Sequence, residues 1–79
     1  MPIMWRMSTT LEQLRLTVNG ESMSLARGTT LTGLLTVLCL DTRKVAVERN
    51  REIVPRSTYS LVTLEDADTV EIVHFIGGG

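Results

Sequence analysis

The apolar residues of this chain change their spacing from two to 3.6 and back to two, and each change fixes an element. Leu14, Leu16 and Val18 alternate with Arg15, Thr17 and Asn19, the period of a half-buried strand. Asn19-Gly20 follows at once. Both positions of that pair accept a positive φ, so it reads as a two-residue hairpin turn. Met23 and Leu25 then alternate with Ser22 and Ser24 to give the returning strand. After Gly28, Thr29 and Thr30 supply a helix N-cap. Leu31, Leu34, Leu35 and Leu38 fall at i, i+3, i+4 and i+7, the stripe of an amphipathic helix.

Gly33 interrupts that helix at a cost of about 1 kcal/mol relative to alanine, and its placement suggests a close approach of helix to sheet. Asp41-Thr42-Arg43 is expected to end the helix. Val45 and Val47 mark a third strand over 44–48, Asn50-Arg51 a turn, and Ile53-Val54 a short fourth strand. Pro55 cannot donate to a ladder, which confines that strand to an edge or ends it there. Residues 57–60 read as a single helical turn, and Glu65-Asp66-Ala67-Asp68 as a tight, solvated acidic turn. The last strand, 70–76, is apolar at Val70, Ile72, Val73, Phe75 and Ile76 with little alternation. Such a strand is expected at the centre of a sheet, covered on both faces, beside a parallel neighbour.

The order β-β-α-β-β-β with one helix predicts an α+β chain. Its mixed sheet of four to five strands carries the helix across one face, as in the ubiquitin-like β-grasp, a two-layer form suited to a short chain. With 79 residues the sequence allows one domain, expected over 13–76. Residues 1–12 lack periodicity and read as a flexible extension, in which Trp5 is unusual and Met7 offers an alternative start. A net charge of −1 leaves no basic stripe to displace counterions from nucleic acid. The longest apolar stretch, 34–40, is too short to cross a bilayer. No signal peptide is visible, and a single cysteine suits a reducing cytoplasm.

The chain closes on Gly77-Gly78-Gly79, directly after an apolar strand. Glycine gains nothing from a core and loses the most entropy on ordering, so 77–79 reads as a mobile tail. Its extended reach is roughly 10 Å, enough to thread a terminal carboxylate into a narrow slot on another protein.

Val18-Asn19-Gly20-Glu21, Val45-Ala46-Val47-Glu48-Arg49-Asn50, Glu52-Ile53-Val54-Pro55-Arg56-Ser57 and the ending Val70-Glu71-Ile72-Val73-His74-Phe75-Ile76-Gly77-Gly78-Gly79 occur in that order. Together they resemble the sulfur carrier family of thiamine biosynthesis, the ThiS family, over 14–79. The related small subunit of molybdopterin synthase shares the fold and the Gly-Gly end but is less similar around Val54-Pro55-Arg56. Two features depart from the family: Asp66-Ala67-Asp68 stands where Asp-Gly-Asp is usual, which puts the turn type in question, and the N-terminal extension is extra.

The resemblance implies that the Gly79 carboxylate is adenylated by a ThiF-like adenylating enzyme using ATP and magnesium. It then receives sulfur that originates from a cysteine desulfurase, and the resulting thiocarboxylate serves a thiazole synthase. Gly77 and Gly78 would thread into the partner. The chain itself would bind no cofactor and would be a protein co-substrate, since it carries no phosphate-cradling Gly-x-x-x-x-Gly-Lys loop and no nucleophile–base set. A molybdopterin-type or other sulfur carrier, a ubiquitin-like modifier of lysines and a noncovalent β-grasp binding module remain as competing readings.

Four residues are candidates for a docking patch: Phe75, Ile76, Arg56 and Tyr59. Aromatic residues are enriched at interface cores, though Phe75 equally suits the core under the helix. His74 reads as a surface or packing residue before a chemical one, and Cys39 as a small buried hydrophobe before a redox thiol.

Overall fold

The computed structural model describes residues 13–75. The expected N-terminal extension at 1–12, Ile76 and the glycine tail at 77–79 lie outside the described residues. Five strands, β1 (Gln13–Val18), β2 (Glu21–Ala26), β3 (Val45–Arg49), β4 (Glu52–Val54) and β5 (Thr69–His74), accompany one helix, α1 (Leu31–Val37), and two 3-10 turns at Thr42–Lys44 and Arg56–Thr58. The sheet order is β2-β1-β5-β3-β4. β1 and β5 run parallel and the other neighbours antiparallel. The mixed five-stranded sheet under one helix is the β-grasp arrangement, with β5 central beside its parallel partner.

The β1–β2 hairpin forms because Asn19 and Gly20 both take positive φ, 50° and 84°, matching the twist of the flanking strands. Its register pairs Leu14 with Leu25 and Leu16 with Met23, so one face of the hairpin is apolar. That face continues through Val70 and Ile72 of β5 and Val45 and Val47 of β3. α1 covers it with Leu31, Leu34 and Leu35, all fully buried. Thr30 caps the helix, its hydroxyl accepting from the Gly33 N–H at 3.1 Å. A Cβ on Gly33 would meet the Thr29 methyl at 3.0 Å; the close approach is to the helix's own entry and not to the sheet.

α1 ends before Asp41. The Leu40 N–H bonds to the Leu35 carbonyl and the Cys39 N–H to the Thr36 carbonyl, the paired bonds of a Schellman ending. Cys39 takes φ 60° there at the position glycine usually holds. It is therefore exposed, correcting its expected burial. Asp41 instead caps the following 3-10 turn through the Arg43 N–H.

β5 is covered on one face only. Along β5, Val70 is buried and Ile72 partly so, while Glu71 and Val73 point away from the helix. The isolated helix spans a single face of the sheet, and among the described residues nothing packs on the other. The expectation of burial on both faces fails for that reason.

Asp68 is also corrected, being only 5% exposed. Its Oδ2 accepts from Arg49 Nε at 2.8 Å and from the Glu65 N–H at 2.9 Å, and its Oδ1 from Asn50 Nδ2 at 3.1 Å. Burial pushes this carboxyl up, but the hydrogen bonds from Arg49, Glu65 and Asn50 outweigh it and hold it below the ordinary aspartate value. Asp66 accepts from the Arg15 N–H at 2.9 Å and Arg27 Nη2 at 2.6 Å, which likewise holds its carboxyl low. The acidic turn is a clasp, fastening the start of β5 to β1, β3 and the 49–51 turn. Ala67 completes it at φ 69°. The turn thus keeps a left-handed residue without the glycine that would favour one.

Candidate functional site: the exit of the last strand

β5 is the last described element before the C-terminal residues 76–79, which makes its surroundings the candidate site. Parallel pairing with β1 covers only Thr17↔Thr69 and Val18↔Val70. Beyond that β1 has turned into the hairpin, and Asn19 takes over: its Oδ1 accepts the Ile72 N–H at 2.7 Å. On the other side β3 holds β5 from Arg49↔Val70 to Val45↔His74. The Phe75 N–H adds a further bond to the Lys44 carbonyl at 2.8 Å. The backbone is therefore anchored up to Phe75, four residues before Gly79.

The face turned away from α1 is apolar near this exit. Val73 lies opposite Ala46 and is 60% exposed; Phe75, 49% exposed, continues the alternation beside Lys44. Ile53 on the edge strand β4 is 78% exposed on the same face, opposite Glu48. Glu48 in turn sits directly across from Glu71. Like charges directly opposed across a ladder are destabilising, so the isolated domain carries an unfavourable contact on this face.

Phe75 thus belongs to the exposed face and not to the core. Tyr59 is corrected: at 3% exposure its side chain is part of the core and presents no docking surface. Its carbonyl accepts the Thr32 N–H at 3.3 Å, and Val62 bonds to Leu31. The segment that follows β4 is thereby tied to the start of α1. Arg56 is exposed at the head of that segment, in the 3-10 turn that follows β4, and is not on a strand with Phe75. Ile76, Gly77, Gly78 and Gly79 lie outside the described residues. His74 is exposed beside Val45 on the helix side.

The sequence reading missed Val73 and Ile53 as members of the exposed face. Their signal was present in the alternation Glu71, Val73, Phe75, which the apolar run obscured. It also missed the second task of both turn asparagines. Asn50 Oδ1 accepts the Thr69 N–H at 2.9 Å while its amide serves Asp68. Among the described residues no three His, Cys, Asp or Glu side chains gather as a metal site. No described helix is long and apolar enough to cross a membrane.

Comparisons with known proteins agree with this geometry. The model of the ThiS family matches residues 16–79. The chain is 43% identical over 65 residues to the protein named sulfur carrier protein ThiS of Bacillus subtilis, covering 81% of this chain and 98% of that one. A protein of Paramagnetospirillum magneticum named thiazole synthase is 52% identical over 66 residues, which cover 84% of this chain and 20% of that protein. The chain therefore spans about a fifth of that relative's length. The crystal structure of thiamine biosynthesis protein ThiS from Geobacter metallireducens superposes with a TM-score of 0.72 at 36% identity, covering 84% of this chain and all of that one.

Proposed function

Because the chain belongs to the ThiS family, we propose that it carries sulfur for thiamine biosynthesis as a thiocarboxylate on Gly79. The observation that carries this reading is a family match that runs through Gly79 itself, five residues after the end of β5 at His74. A terminal carboxyl has a reference pKa of about 3.3–3.7 and is ionised at neutral pH. As a carboxylate it is a poor electrophile but a competent nucleophile toward the α-phosphorus of ATP. Attack releases pyrophosphate and leaves an acyl-adenylate; a persulfide sulfur then adds to the carbonyl and AMP departs with the former carboxylate oxygen, and a thiol cleaves the resulting acyl disulfide to free the thiocarboxylate, itself ending as a disulfide. The chain is the co-substrate, and a ThiF-like adenylating enzyme binds the ATP and magnesium. A cysteine desulfurase is the ultimate sulfur source.

A thiazole synthase is the acceptor. Support comes from the Paramagnetospirillum magneticum relative of that name, whose own chain includes a segment like this one. The docking surface is the face bearing Phe75, Val73, Ala46 and Ile53, with Ile76 next in sequence. A partner's basic side chain placed between Glu48 and Glu71 would relieve their repulsion, so part of the docking energy is stored in the free domain.

ATP–pyrophosphate exchange by the adenylating enzyme tests the reading. Exchange should occur with the chain ending at Gly79 and vanish when Gly79 is deleted or followed by one more residue, with circular dichroism unchanged. Exchange that survives a blocked terminus would replace the carrier with a noncovalent module.

A further inference from the structure

Asn19 holds β5 twice. Its backbone N–H donates to the Val70 carbonyl at 2.9 Å, and its Oδ1 accepts the Ile72 N–H at 2.7 Å. Gly20 follows, exposed like Asn19, and a Cβ added to it would meet nothing within 4 Å. No side chain of its own shields the Gly20 nitrogen, which lies next in the chain to the Asn19 amide. We propose that Asn19 is a site of spontaneous deamidation, and that the hold of its side chain on β5 sets the rate.

In the reaction the Gly20 backbone nitrogen loses its proton to solvent base and attacks Asn19 Cγ. The Cγ–Nδ2 bond breaks, ammonia leaves and a cyclic imide forms. Water then opens the ring. Opening at Cγ gives aspartate. Opening at the former main-chain carbonyl gives isoaspartate, whose main chain runs through Cγ and is longer by a methylene. Water is the only co-reactant. Ring closure requires Cγ to swing over the Gly20 nitrogen, whereas Oδ1 is fixed on Ile72. The reactive rotamer is reached when that bond opens, so the rate follows the open fraction.

Asn50 is an internal comparison. Its φ is 52° against 50° at Asn19, and its Oδ1 likewise accepts a β5 N–H, that of Thr69 at 2.9 Å. Its Nδ2 also donates to Asp68 at 3.1 Å, and Arg51 follows it in place of glycine. The second bond holds the amide more firmly, and the Arg51 side chain crowds the attacking nitrogen. The two products at Asn19 differ in their effect on β5. Aspartate keeps a carboxylate oxygen for the Ile72 N–H. Isoaspartate carries its carboxylate directly on Cα, an atom short of that reach, and its extra methylene disturbs the turn that pairs Val18 with Glu21. Ile72 then loses its acceptor on the β1 side, while β3 continues to hold β5 from Arg49 to Val45.

The test incubates the full chain in mildly alkaline buffer, native and in urea. It follows the mass gain of amide-to-acid exchange, with fragmentation that separates aspartate from isoaspartate. Asn19 should deamidate in both, at least about fivefold more slowly in the native chain, as the worth of one hydrogen bond implies. Asn50 should lag behind Asn19 in urea. The isoaspartate form, isolated chromatographically, should keep its circular dichroism and exchange the Ile72 amide at least about fivefold faster than the unmodified chain. Absence of deamidation at Asn19 from the native chain would overturn the site. Equal rates in the native and unfolded chains would overturn the role of the Ile72 bond, and unchanged Ile72 exchange in the isoaspartate form would overturn its effect on β5.

Discussion

Ala67→Gly should stabilise this domain. Ala67 is exposed and held at φ 69°, where an L-residue pays roughly 1–2 kcal/mol for the clash of its Cβ with the backbone. Glycine removes that clash but adds roughly 0.4–1 kcal/mol of unfolded-state entropy. The difference leaves a gain of about 0.5–1 kcal/mol, or about 3–6 °C in Tm for a domain of this size. The bond from residue 67 N–H to the Arg15 carbonyl, 2.8 Å, is backbone and survives the change. Gly28→Ala supplies the opposite arm: Gly28 takes φ 93° with nothing within 4 Å of an added Cβ. Any loss there is conformational and not steric, and it should be about 1 kcal/mol. Urea unfolding followed by circular dichroism measures both. A neutral or destabilising Ala67→Gly, alongside a destabilising Gly28→Ala, would show that the 66–68 turn is not strained and refute the reasoning.

Asp68→Ala should cost about 2–4 kcal/mol in chemical unfolding, because it leaves Arg49, Asn50 and the Glu65 N–H without their shared acceptor. Since the folded Asp68 carboxyl lies below its usual value, the unfolded chain takes up this proton first. Its stabilisation is complete above about pH 5 and is lost as pH falls through the unfolded value near 3.9 and on through the lowered folded value. Asp68→Asn should flatten that part of the acid limb, and an unchanged acid limb would argue against the clasp. Asn19→Gly keeps the hairpin turn but removes the acceptor for the Ile72 N–H; amide exchange at Ile72 should quicken about fivefold to tenfold, matching a bond worth about 1 kcal/mol. Phe75→Ala combined with Val73→Ser should leave Tm within about 2 °C while weakening binding to the adenylating enzyme at least about tenfold by calorimetry, as for loss of an interface anchor. Glu71→Gln should raise stability by a few tenths of a kcal/mol and weaken the same binding.

The fold was legible wherever a local pattern and the tertiary environment asked for the same thing. Leu14, Leu16 and Val18 alternate because only one face of the hairpin meets α1, and the leucine stripe of α1 is the complement of that face. β5 was harder. Its place at the centre and its parallel partner follow from its apolar run, but the run does not say that the single helix leaves one face bare. Val73 and Phe75 are apolar yet exposed, so packing among the described residues does not account for them. Tyr59 carries the same ambiguity in reverse, an amphipathic residue in a polar stretch whose burial depends on the long return of 55–64 to the start of α1. Cys39 and Ala67 escaped because left-handed positions are signalled by glycine or asparagine, and here neither residue is present. Asp68 looked solvated because its partners, Arg49 and Asn50, lie 18–19 residues away in sequence. Gly77, Gly78 and Gly79 lie outside the described residues; their glycine run suggested a thread bearing a carboxylate, and only the resemblance attached sulfur chemistry to it.

The most direct test of the carrier reading is the intact mass of the chain before and after incubation with an adenylating enzyme, ATP, magnesium, a cysteine desulfurase and cysteine. A gain equal to the exchange of one oxygen for sulfur is expected, localised to Gly79 by fragmentation and absent without ATP. An unchanged mass, with an adenylating enzyme shown to be active on another carrier, would contradict it.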